Sequence, residues 1–216
     1  MNNSLLIIVL NFSIAIAAIL SAIRFRNITK SFYPFVFLLW LGLANEALSL
    51  FLVYSGRSNT ATSNIFVVAE FLLILWQFYT WNGDGKRKYL ITALLGIAVW
   101  VAENWILGSI SENSPLFSTC YSFIIILFSI SAGLRAVLYE KGSLLKNAVF
   151  IICITYLFYF GCKTYVETIN AFHVDLDNDT VWNFWIIVYF ANAFANTLYA
   201  IAILCIPTRQ EFILPY

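Results

Sequence analysis

The chain has 216 residues, of which 62% are apolar, 18% aromatic and only 11% charged, with a mean hydropathy of +0.84. Soluble domains average about 25% charged residues, so this composition cannot dress an ordinary aqueous surface, and its apolar content equally excludes disorder. A net charge of +1 gives no footprint for nucleic acid. Seven crossings of roughly 20 residues would leave no room in these residues for a soluble kinase, nuclease or nucleotide-binding module of about 100 residues.

Seven apolar runs stand out in chain order. The first covers 5–23. Met1-Asn2-Asn3-Ser4 brings no positive charge ahead of it, and Arg24 and Arg26 follow it, the reverse of a secretory leader, so it is read as a retained helix. The second covers 32–54, with Pro34 at a helix start where a missing N–H costs nothing. The others cover 65–81, 89–108, 116–139, 148–171 and 181–206, and Pro207 ends the last. Turn formers and charges separate them, as at 55–59, 82–88, 111–115 and 140–143. The expected fold is all-α, a polytopic membrane protein with seven transmembrane helices in one bundle that forms a single domain over 1–216.

Orientation follows from the basic residues. The first, third and fifth connections carry Arg24, Arg26, Lys30, Lys86, Arg87, Lys88, Lys141 and Lys146, with Arg135 near by and Arg209 in the tail, whereas the even connections carry only Arg57. Positively charged loops stay cytoplasmic, which predicts an outside N-terminus and a cytoplasmic C-terminus in the cell membrane. The sixth connection, with His173, Asp175, Asp177 and Asp179, becomes an acidic outer cap. It lacks the turn Gly and closing Glu of a calcium loop and reads as solvated rather than metal-binding.

Charges inside spans are costly and mark candidate sites. Away from the span ends there are five, Glu46, Glu70, Glu103, Lys163 and Glu167, and Asn104 adjoins Glu103. Counting about 1.5 Å per residue places all five in the outer leaflet. Helical spacing sets them on polar stripes: Asn45, Glu46 and Ser49; Glu70 and Gln77; Ser118, Ser122, Ser129 and Gly133; Tyr159, Lys163, Glu167 and Asn170. Trp185, Tyr189, Asn192, Asn196 and Tyr199 make the longest stripe, on the seventh span. The Asn and Ser residues equally suit a role as glue between helices, and Lys163 with Glu167 suits an intrahelical ion pair. One lysine cannot neutralise four carboxylates, so some are protonated, or the cavity is wet, or a cation from outside the chain completes it. Glu103 also suits a solvated position at the interface, near Trp105.

The lone histidine excludes a bis-His haem and a Ser-His dyad within the spans, and no nucleophile or oxyanion motif accompanies the acids. Cys120, Cys153, Cys162 and Cys205 lie in spans as small apolar residues. No catalytic residue, metal or cofactor is expected. Topology alone resembles that of rhodopsins and G-protein-coupled receptors. The rhodopsin lysine belongs on the seventh helix, however, whereas Lys163 is on the sixth, and Asn196-Thr197-Leu198-Tyr199 lacks the receptor proline. The strings Asn64-Ile65-Phe66-Val67-Val68-Ala69-Glu70-Phe71-Leu72-Leu73 and Asn196-Thr197-Leu198-Tyr199-Ala200-Ile201-Ala202-Ile203 resemble those of small bacterial seven-helix membrane proteins, a resemblance that implies no activity. It directs attention to Glu70 and to Asn196–Tyr199.

These features together predict a receptor-like or sensory membrane protein. Glu46, Glu70, Glu103, Asn104, Lys163, Glu167, Tyr189 and Asn192 would line an outward-facing pocket for a small cationic ligand. Its partners would be the lipid bilayer, that small molecule and a separate cytoplasmic or membrane signalling protein. A proton or small-cation transporter, or a structural subunit of a membrane complex, are the alternatives. Transport would need a path onward through Asn192, Asn196, Gln77 and Ser129.

Overall fold

The computed structural model describes residues 3–82, 85–139, 143–171 and 178–207. Among them there is no sheet, and seven helical segments are long and apolar enough to cross a membrane. The first comprises α1 (Asn3–Asn11) and α2 (Ile14–Arg24). The rest are α3 (Tyr33–Tyr54), α4 (Thr60–Asn82), α5 (Lys86–Val101) with a π-helical extension Ala102–Leu107, α6 (Pro115–Tyr139), α7 (Ala148–Ala171) and α8 (Asn178–Cys205). Spans two, five, six and seven fall within a few residues of the expected limits. The third begins earlier, at Thr60, because its polar first turns are held in place: buried Asn64 donates to the carbonyls of Ile110 (2.8 Å) and Glu112 (2.7 Å) and accepts from Trp100 Nε1 (3.1 Å) on its own carbonyl.

The first span departs most from expectation. It tightens at Phe12–Ser13 without a Gly or Pro: the Ser13 N–H donates to Leu10 O and the Ala15 N–H to Phe12 O, both three residues back instead of four. Ser13 Oγ donates to Leu10 O (2.6 Å) and accepts from Asn196 Nδ2 (2.9 Å) on α8, so the kink is fixed from both sides. Ser/Thr back-bonding of this kind bends helices.

Helices adjacent in sequence pack together, and α2 also packs on α8, so the first and last spans meet. That seam is sealed by Arg24, whose Nη1 donates to Ile203 O and Leu204 O (2.7 Å each), carbonyls left over by the end of α8. Gln77 performs the matching service for α3. Its Oε1 accepts from the Phe35 N–H (2.8 Å) and its Nε2 donates to Ser31 O (2.6 Å).

The core is a train of buried rings, Phe117, Tyr121, Phe160, Tyr156, Tyr199 and Phe35, each within 6.0 Å of the next between centroids. The outer surface is apolar as well: Ile23, Ile106 and Leu138 are about three-quarters exposed. Large apolar side chains inside and out suit a bundle whose solvent is hydrocarbon. Arg24, Lys30, Lys86 and Lys146 lie at one end, called here the basic end, and the connections 55–59 and 108–114 lie at the far end. The acidic cap predicted at His173, Asp175 and Asp177 lies outside the described residues, as do Lys141 and Arg209; the side chains of Asn170 and Asp179 do as well.

Candidate functional site

Of the five charges that lie within the apolar helices, Glu70 and Lys163 meet directly. Glu70 is on the buried face of α4 that also carries Phe71, Ile74 and Gln77 inward, and its side chain is 11% exposed. Lys163 Nζ lies 3.9 Å from Glu70 Oε2, at 12% exposure. Between them stands Tyr121 of α6, which is fully buried. Its hydroxyl donates to Glu70 Oε2 (2.8 Å) and takes a short hydrogen bond from Lys163 Nζ, which also lies 4.9 Å from the ring centroid. An ammonium this sheltered needs both a counter-charge and hydrogen-bond acceptors, and this pair with its bridge supplies both. Tyr121 is therefore a site residue that sequence reasoning missed. The signal was available, because Ser118, Tyr121, Ser122, Ile125 and Ser129 share one buried helical face.

Glu70 has a second neighbourhood. Together with Glu46 it lines a cavity of about 80 Å³ whose walls also include Asn11, Tyr159, Asn192, Asn196 and Tyr199. A water needs only about 10–15 Å³ of such volume, so the space holds several waters or one small hydrated ion. Asn11, just before the kink, lines the same cavity as Glu46, a neighbour the sequence did not announce. Toward the far end, Asn11 and Glu46 also form a wall of a second, larger pocket of about 390 Å³, bounded by Ser49, Asn59 and Tyr189 and by apolar residues of α1. The two spaces form a vestibule and a chamber with Glu46 at the partition. Gly42 lets α2 close against α3 at the chamber's wall: a Cβ there would fall 2.5 Å from Ile14 Cδ1. Tyr199, which lines the chamber, is itself a ring of the train, next to Phe35.

The sequence-predicted site divides accordingly. Glu46, Glu70 and Asn192 share the chamber, Tyr189 borders the vestibule, and Lys163 reaches the chamber through Tyr121 and Glu70. Glu167 is half-buried one turn from Lys163 on α7 and is not among the residues lining either space. Glu103 and Asn104 are elsewhere. The Glu103 carboxylate accepts from the Leu116 N–H (2.9 Å) and the Phe117 N–H (2.7 Å), two of the donors that the first turn of α6 leaves unpaired. Asn104 is buried, donating to Trp100 O (3.0 Å) and accepting from Ser114 Oγ (2.8 Å). The π-helical extension turns both side chains onto α6 instead of into the chamber. A carboxylate at a helix N-terminus satisfies orphan donors and complements the dipole. Glu103→Ala is expected to cost about 1–2 kcal/mol in thermal unfolding, with Glu103→Gln losing less, and neither is expected to change occupancy of the chamber.

Of the path residues required for transport, Gln77 is fully buried and committed to α3, Asn196 is committed to Ser13, and Ser129 is buried without a hydrogen-bond partner among the described residues. Among the described residues no cluster of three His, Cys, Asp or Glu is placed to hold a metal ion. No protein-family model matches the chain, and neither the curated proteins nor the solved structures contain a significant match to it.

Proposed function

We propose that the chain is a multi-pass membrane protein of receptor-like or sensory type, which binds a small cation or the ammonium head of a small amine in the Glu46–Glu70 chamber, entered from an outward-facing far end. The single observation that carries this reading is the pairing of two carboxylates on different helices in one small polar chamber, with only one of them matched by a lysine among the described residues. With both carboxylates ionised, Glu46 and Glu70 against Lys163 leave one negative charge for an incoming cation to balance; without the cation, a proton on Glu46 is the way to avoid that imbalance in a low-dielectric surround. Size supports a small guest: the chamber is far below the roughly 300–1,000 Å³ of sites for drug-sized ligands, whereas the vestibule lies within that range and has room for an amine's apolar body. Any signal would pass through the basic-end connections to a separate partner.

The test is calorimetric titration and thermal shift of purified protein with sodium, potassium, ammonium, methylammonium and a longer primary amine. At least one is expected to bind, and Glu46→Gln is expected to weaken it by about 10–100-fold, the weight of a charged hydrogen bond. Absence of any response in the wild type, or an equal response in Glu46→Gln, overturns the reading. The same carboxylates would serve a proton or small-cation transporter. Proteoliposome flux abolished by Glu46→Gln would select that alternative, and binding without flux would retain the receptor.

A further inference from the structure

At the basic end, on the opposite side of α4 from the chamber residues, the last turns of α4 and the first turns of α5 diverge and leave an open groove of about 640 Å³. Its floor is Leu75 and Tyr89, both at least 95% buried, and its rim is Trp76 and Leu90, which are 45% and 61% exposed. The hairpin beneath is braced by the Asn82 Nδ2 hydrogen bond to the Tyr89 hydroxyl (2.5 Å). The groove's mouth carries Lys86 and Arg87, with the Lys86 ammonium 5.9 Å from the Tyr79 ring centroid. The connection 83–88 holds Asp84, Lys86, Arg87 and Lys88, a net charge of +2. The fourth span is also the least covered of the seven, with 11% of its apolar window buried by the rest of the bundle.

We infer that this groove binds one anionic phospholipid, an acyl chain lying between Trp76 and Leu90 and the phosphate headgroup held at Lys86 and Arg87. The occupant is selected by charge and shape together. An apolar trough continuous with the hydrocarbon surface accepts an acyl chain. Two adjacent cations, one a guanidinium able to hold phosphate in a bidentate fork, at the depth where headgroups sit, prefer a net negative headgroup over a zwitterionic one. Lys86 and Arg87 are exposed and neither makes an ion pair among the described residues. The inference requires the chain to cross a membrane but not that the chamber binds a cation, so the two can fail separately.

Native mass spectrometry of detergent-purified full-length protein, offered equimolar phosphatidylglycerol and phosphatidylcholine, reads the site. Wild type is expected to retain one phosphatidylglycerol in preference, and K86Q/R87Q to lose about 30-fold of that preference, at roughly fivefold per cation near a membrane surface. Ala93→Phe, which fills the trough, is expected to reduce retention of both lipids. Equal retention of the two lipids by wild type overturns the proposal. So does an equal loss in the control R135Q/K146Q, which would assign the preference to general surface charge, or undiminished retention in Ala93→Phe, which would assign it to a headgroup contact without a bound chain. The exposure of Lys86 and Arg87 keeps K86Q/R87Q informative even if the groove-filling variant fails to fold.

Discussion

Lys163→Met is expected to destabilise the bundle by about 3–5 kcal/mol, the cost of leaving a buried charge without its partner. Glu70→Gln is expected to fall in the same range from the other side. The double variant Glu70→Gln/Lys163→Met should recover most of the loss, because a buried ion pair replaced as a unit by neutral groups is often near neutral. Denaturation in detergent with the two singles and the double measures the coupling; additive losses would show that Glu70 and Lys163 act independently, against the 3.9 Å contact and the Tyr121 bridge. A sharper reading comes from Lys163→Ala. It leaves a space beside Glu70 that methylammonium can fill, so millimolar methylammonium should raise its unfolding temperature more than that of wild type.

The second large effect is steric. Phe71 is fully buried, edge-on to both Phe117 and Tyr121, and Gly96 of α5 lies against it so closely that a Cβ there would fall 2.2 Å from Phe71 Cε1. Phe71→Ala should cost about 3–5 kcal/mol as a cavity opens beside the Glu70 bridge. Gly96→Val alone should cost about 1–3 kcal/mol by overpacking. Combined, the new valine enters the space that the ring vacates, so the double should be more stable than Phe71→Ala alone. Thermal unfolding of the four proteins checks the sign of the coupling. If the double is worse than either single, the two helices do not approach as described.

Span number and limits were legible because about twenty consecutive apolar residues have few other uses. The convergence of Glu46 and Glu70 was legible from depth and helical phase. What resisted reading was the choice of partner. Glu103 looked like a chamber residue because its depth matched the others, but a π-helical turn shifts helical phase and delivers the carboxylate to the N-terminus of α6 instead. Spacing along its own helix offered Lys163 only Glu167, and gave no sign that Glu70 and Tyr121 on other helices also meet it in the fold. The kink at Ser13 depends on Asn196, 183 positions away, and carries no local signature in Gly or Pro. Local periodicity reports which face a residue occupies; it does not report which of several buried acceptors that face will meet.

The contact between the first and last spans also orders the folding pathway. Arg24 finds its acceptors at Ile203 and Leu204, 179 and 180 positions on, and Ser13 finds Asn196 at a comparable separation. At roughly 5–20 residues per second, the helix that carries Ser13 and Arg24 waits on the order of ten to forty seconds after its own synthesis before these bonds can form. During that interval the guanidinium of Arg24 and the kinked turn above it have no permanent partners, and the wall of the chamber contributed by Asn11 and Ile14 is unfinished. The acidic chamber is therefore completed only once α8 is in place, and truncations that remove α8 should leave it open even when the six preceding spans are in place.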